Sequence, residues 1–108
     1  MKSGDILLLP FPFAELTNKK VRPTVVVCKT QDKYKDFVVC AISSVVPKSL
    51  GKNEILLQPD KQNNLRAVSI IKVDRIFTAK QEDVIAKLGK LNKADFEIFK
   101  KKFKSLIG

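Results

Sequence analysis

Apolar residues fall in short unbroken runs over the first two-thirds of the chain and in a helical stripe at its end. Residues 6–9, 21–28, 37–42, 54–58, 67–73 and 75–78 are rich in β-branched positions and predict short strands. Several of these runs are continuously apolar where a half-buried strand would alternate, as expected of strands buried on both faces or closed into a small barrel. Turn-forming clusters at 10–20, 30–36, 47–53 and 59–64 separate them. From Lys80 the period becomes helical. Residues 81–88 predict a short helix, with Gly89 as a left-handed residue just past its end. Asn92 predicts the cap of a second helix, with Asp95 three residues on. Phe96, Phe99, Phe103 and Leu106 then recur at spacings that lay one apolar face along it, bordered by Lys93, Lys100, Lys101, Lys102 and Lys104. The expected architecture is one domain over 1–108, mainly β with C-terminal helices: a small, mostly antiparallel barrel followed by two short helices. Cys28 and Cys40 each follow a valine run and are expected as reduced, buried packing residues.

Composition sharpens this picture. A chain of 108 residues with 44% hydrophobic and 30% charged positions is a single folded domain, without repeats or low-complexity segments. The apolar run at 6–9 is shorter than the roughly 7–15 residues of a signal-peptide core, and no stretch approaches the roughly 18 of a membrane span. A cytoplasmic protein with no membrane contact is expected. The 21 Lys and Arg against 11 Asp and Glu leave a formal charge of +10, which favours a polyanionic partner: nucleic acid first, an acidic protein second. With no His, the chain has no imidazole base, no Cys/His zinc site and no Ser-His-Asp triad. Any chemistry must use carboxylates, hydroxyls, Lys, Arg or the two cysteines.

Four motifs occur in order and span nearly the whole chain. They are Gly4-Asp5 with the apolar run to Pro10-Phe11-Pro12-Phe13, Lys20-Val21-Arg22-Pro23 with its following strand, Val39-Cys40-Ala41-Ile42-Ser43-Ser44, and Val73-Asp74-Arg75-Ile76-Phe77-Thr78. Together they resemble the MazF/PemK family of type II toxin–antitoxin toxins. The resemblance implies an SH3-like barrel of the MazF/CcdB type and a homodimer. It also implies a sequence-selective, ribosome-independent endoribonuclease (an mRNA interferase) acting on single-stranded RNA. Attack by the 2′-hydroxyl would leave 2′,3′-cyclic phosphate and 5′-hydroxyl ends, with no metal or other cofactor. A cognate antitoxin with an acidic tail would cover the RNA groove, and a strongly basic chain suits both partners. The alternative is a non-catalytic barrel, either CcdB-like and acting on a protein or an RNA binder that has lost cleavage.

On this resemblance Arg22 is the first catalytic candidate. Pro23 holds its backbone extended, and a guanidinium fork fits the charge that develops on the phosphorane. The family's role for this Arg as acid or base asks more, since a guanidinium pKa above ~12 leaves almost no neutral form at pH 7. Ser43 matches the family's Thr and offers a hydroxyl to a phosphate oxygen. Ser44, one place on, points to the other face, so only one of the two enters a groove. Lys72 and Asp74, at i and i+2, stand where some relatives carry Arg-x-Asp: Asp74 to accept the 2′-hydroxyl proton, Lys72 to protonate the leaving oxygen or neutralise phosphate. Phe77 stands where many relatives have Arg. In the loop, Phe11 and Phe13 are either stacking platforms for bases or core residues, Phe11 being more the packer. Lys19 and Lys20 are candidates for contacts to the RNA backbone.

Overall fold

Continuously apolar strands need a partner layer on each face, and one bent sheet supplies both. The computed structural model describes residues 1–12 and 19–108, and the side chains of 11–20 are outside the description. Its strands are β1 (Asp5–Pro12), β2 (Lys19–Lys29), β3 (Phe37–Ser43), β4 (Glu54–Leu57), β5 (Ser69–Ala79) and β6 (Ala86–Lys90). A 3-10 turn, Gln81–Asp83, leads into β6, and helix α1 (Lys93–Ser105) closes the chain. The strands pair antiparallel in the order β4-β5-β3-β2-β1-β6. Register shifts between β1 and β6, β2 and β3, and β3 and β5 mark bulges that curve the sheet into a half-barrel. The mainly β expectation with a C-terminal helix therefore holds. Among the described residues no helix is long and apolar enough to cross a membrane.

Each face of the sheet carries its own core. On one, Ile6, Val25, Cys40, Ile42, Ile71 and Val73 pack against Phe99 of α1, with Phe96, Phe103 and Leu106 closing the edges. Burying a side chain of this size contributes about 1.5–3 kcal/mol, so the phenylalanine stripe fastens the helix down. Asn92 caps α1 as expected, its Oδ1 accepting from the Asp95 N–H at 2.8 Å. On the other face Leu7, Leu9, Val26, Phe37, Val39 and Ala79 form a smaller cluster with Phe77 and Val84. The Gly4-Asp5 opening is structural. Gly4 has φ +91°, with the Phe96 ring where a Cβ would point, and Asp5 accepts from the Lys2 N–H at 2.7 Å.

Three expectations are corrected. Residues 81–88 do not form a helix: Ala86–Lys90 is strand β6, paired to the free edge of β1 from Asp5↔Lys90 to Leu8↔Ala86. One helical turn or two, alone on the surface, cannot match a ladder that satisfies an open strand edge. Gly89 accordingly is not a left-handed cap, since the positive-φ glycines are Gly4 and Gly108. Its missing Cβ lets β6 lie against the 60–64 loop, where a side chain would meet the Gln62 carbonyl. Finally, Cys40 is buried but Cys28 is exposed, because the bulge at Val26/Cys28 turns it outward. Both are free thiols. Cys40 Sγ donates to the Val73 carbonyl at 3.3 Å, and burial, then the Asp74 charge, push its pKa up to about 12.

Candidate active site

A proline and a bulge part the sheet where the chemically capable side chains gather. The pairing of β2 with β3 runs from Lys29↔Phe37 to Thr24↔Ala41 and stops there. Pro23 has no N–H to carry the ladder further. Extending that register sets Arg22 across from Ser43. On the other side of β3, Cys40 pairs with Ile76 and Ala41 with Lys72, so Val73, Asp74 and Arg75 loop out of the ladder. The Val73 N–H is satisfied instead by the Asn53 carbonyl, at 2.9 Å.

The gap is a cavity of 420 Å³, within the range usual for ligand sites. Arg22 comes from β2, Ala41, Ile42 and Ser43 from β3, Val45 from the segment after it, and Lys72, Arg75, Ile76 and Phe77 from β5. Three of these residues are cations and none is a carboxylate. Ser43 Oγ accepts from the Val45 N–H at 3.1 Å, a bond that holds the oxygen and does not use the hydroxyl proton. An oxyanion entering here meets positive charge and a hydroxyl.

A second cavity, of 340 Å³, adjoins the first. It is lined by Gly51, Lys52 and Asn53 ahead of β4, by Glu54 at its start, and by Lys72, Asp74 and Arg75. Lys72 and Arg75 line both spaces and so form the wall between them.

Of the sequence-predicted residues, Arg22, Ser43 and Lys72 share the first cavity, while Asp74 lies across the wall in the second. The bulge interrupts strict alternation, so Lys72 and Asp74 share only the second space. Ser44 is exposed and outside the first cavity's lining. Phe11, Lys19 and Lys20 belong to the β1–β2 hairpin, paired as Phe11↔Lys20 and Pro12↔Lys19, but their side chains are outside the described set. Phe13 lies outside the described residues altogether. Sequence reasoning passed over Arg75, Lys52 and Asn53. For Arg75 a signal existed: it stands two residues before Phe77, the position where relatives carry a cation. Asn53 had none.

The chain is thus a half-barrel of six antiparallel strands with a helix on one face and a cationic, hydroxyl-bearing cleft at a bulge. Residues 2–107 match the PemK-like, MazF-like toxins of type II toxin–antitoxin systems, and the chain belongs to that family. Solved structures with the same fold include an endoribonuclease in complex with its cognate antitoxin from a mycobacterial species. It is 12% identical, with TM-score 0.76, and the match covers 100% of this chain and 95% of that one. A MazE–MazF complex from Deinococcus radiodurans is 16% identical, with TM-score 0.74 over 100% and 96% of the two chains. Mycobacterium tuberculosis toxin MazF-mt6 is 16% identical, with TM-score 0.68 over 95% of each. At these identities the likeness is one of fold. No curated protein matches the sequence directly.

Proposed function

We propose that this chain is a metal-independent endoribonuclease toxin that cuts single-stranded RNA, mRNA included. The 2′-oxygen of one nucleotide bonds to its own 3′-phosphorus, the bond from phosphorus to the next 5′-oxygen breaks, and 2′,3′-cyclic phosphate and 5′-hydroxyl ends result. The observation that carries this reading is the first cavity, where Arg22, Lys72 and Arg75 line the same space as Ser43 and no carboxylate stands among the described lining residues. The nucleophile belongs to the substrate, so a chain without histidine needs only to hold phosphate, stabilise charge and move two protons. Arg22 and Ser43 hold the non-bridging oxygens as charge builds on them, the contribution that removal of a single donor usually sets at about 10²–10³ in rate. Lys72 gives a proton to the leaving 5′-oxygen. Asp74 takes the proton of the 2′-hydroxyl from a ribose seated beside the dividing wall.

Membership of the toxin family supports the reading, as do the endoribonucleases and antitoxin complexes among proteins of the same fold. Val45, Ile76 and Val21 are 75%, 44% and 48% exposed, and Val45 and Ile76 lie on the cavity rim. This apolar rim supports a homodimer in which a second copy supplies the facing wall. The charge of +10 supports an antitoxin whose acidic tail competes with RNA for the same cleft.

The test is a long unstructured RNA incubated with the protein in EDTA. Discrete fragments with cyclic-phosphate ends are expected, and Arg22→Ala should abolish them without changing fold or oligomeric state. RNA left intact at micromolar protein would refute the ribonuclease.

A further inference from the structure

The bulge on β5 carries two of the proposed site residues, yet the ladder with β3 passes it by. Pairing steps from Cys40↔Ile76 to Ala41↔Lys72, so Val73, Asp74 and Arg75 are unpaired there. Asp74 and Arg75 are exposed, whereas Val73 is fully buried and held at both of its main-chain groups. Its N–H donates to the Asn53 carbonyl at 2.9 Å. Its carbonyl accepts from Cys40 Sγ at 3.3 Å. Cys40 is itself fully buried, in the core that packs under α1, so the thiol meets the bulge from the inner side of the sheet.

The direction of one peptide follows from that bond. The Val73 carbonyl and the Asp74 N–H share a rigid plane, so holding the carbonyl sets the line along which the chain enters Asp74 and then Arg75. Bulges re-aim side chains, and residues 73–75 include no glycine or proline to bias this one. The hydrogen bonds to its main chain select its conformation instead. Without the thiol, a carbonyl in a fully buried residue loses a donor, which is costly where water cannot replace it. Rotating the peptide toward another donor relieves that cost and carries Asp74 with it. We propose that Cys40 is a positioning residue, whose buried thiol holds the Val73 carbonyl and so places Asp74 in the second cavity and Arg75 in the dividing wall. It touches no substrate. The kinetic half of this inference rests on the ribonuclease reading; the structural half, a thiol that sets the bulge, stands apart from it.

Variants matched in size separate the hydrogen bond from packing. Cys40→Ser keeps a donor and Cys40→Ala removes it, with a similar loss of volume; Cys40→Val fills the space without a donor and carries the comparison should the Ala protein unfold. On one RNA, kcat should fall by about tenfold in the Ala and Val proteins with KM nearly unchanged, and Ser should restore most of it. Hydrogen exchange of the Val73 N–H, taken relative to the Leu91 N–H that donates to the Gly4 carbonyl at 2.9 Å, should quicken in Ala and Val and stay near wild type in Ser. That ratio removes any general loss of stability. A wild-type kcat or an unchanged exchange ratio in the donor-free proteins would overturn the assignment, as would a Ser protein as impaired as Ala. If the wild type cuts no RNA, the ribonuclease reading fails, and the exchange ratio alone decides whether the thiol holds the bulge.

Discussion

Replacing Gly89 separates two accounts of the chain's last third. If residue 89 closed a helix in the left-handed region, Asn would be tolerated far better than Ala there. In an extended strand pressed on a loop, any Cβ is penalised alike. A Cβ at Gly89 would collide with the Gln62 carbonyl and stand 3.0 Å from the Asn63 carbonyl carbon and oxygen, backbone atoms that cannot swing aside. For the loop to retreat, the Lys90 N–H must give up the Gln62 carbonyl at 3.0 Å, and Asn64 Nδ2 the Leu88 carbonyl at 2.8 Å. Overpacking costs about 1–3 kcal/mol, and each of the two lost hydrogen bonds about 1 kcal/mol, for a total of about 3–5 kcal/mol. With a urea m-value of about 1–2 kcal/mol/M for a small domain, the unfolding midpoint of both Gly89→Ala and Gly89→Asn falls by roughly 3 M. A midpoint for Gly89→Ala within roughly 0.5 M of wild type, or an Asn variant clearly more stable than Ala, would refute the strand and its close contact.

Further expectations concern the site and the termini of its supports. Ser43→Ala should lower kcat by about 10²-fold and Ser44→Ala by less than about twofold, measured on one RNA; the reverse order would move the catalytic hydroxyl to Ser44. Ellman's reagent at pH 8 should titrate Cys28 in the native protein and Cys40 only after unfolding, because burial holds the Cys40 thiol near a pKa of about 12; rapid reaction of both would contradict its placement. Asp60 accepts from the Asn63 N–H at 2.7 Å, the Gln62 N–H at 2.8 Å and Asn92 Nδ2 at 2.9 Å, and the bonds from Asn63 and then Asn92 hold its pKa below the ordinary value. A lowered carboxylate stabilises the fold above its unfolded pKa of about 4, and the gain is lost as pH falls through the lowered value. Asp60→Ala should therefore reduce the melting temperature by a few degrees at pH 7 and by less near pH 3. An equal loss at both pH values would argue against the charge.

What could be read in advance follows where the physics is local. Unbroken runs such as Ile6–Leu9 and Val25–Val27 signalled strands with two covered faces, and Leu7 and Ile6 do enter opposite cores. Arg22 was legible through Pro23, which fixes its backbone and ends a ladder, and Ser43 through its place at the end of an apolar strand. The Phe96 to Leu106 stripe gave α1 with its cap. Other features depend on pairing between distant segments. Val84, Ile85 and Leu88 fit one turn of helix as well as a short edge strand, and only the open side of β1 decides between them. The bulge at Val73–Arg75 carries no glycine or proline to announce it, yet it splits Asp74 from Lys72, brings Arg75 to the wall and turns the Asn53 carbonyl to a structural task. Cys28 followed a buried valine run, but the bulge beside it put it on the surface.

The central claim is that the substrate's own 2′-hydroxyl is the nucleophile, with Arg22, Ser43 and Lys72 around the phosphate. It is tested most directly by an RNA in which the nucleotide 5′ of a mapped cut carries a single 2′-deoxy substitution. Cleavage at that site should disappear while neighbouring sites are cut as before. Cleavage that continues there, with a simple phosphate end in place of a cyclic one, would show that water attacks and would contradict the account.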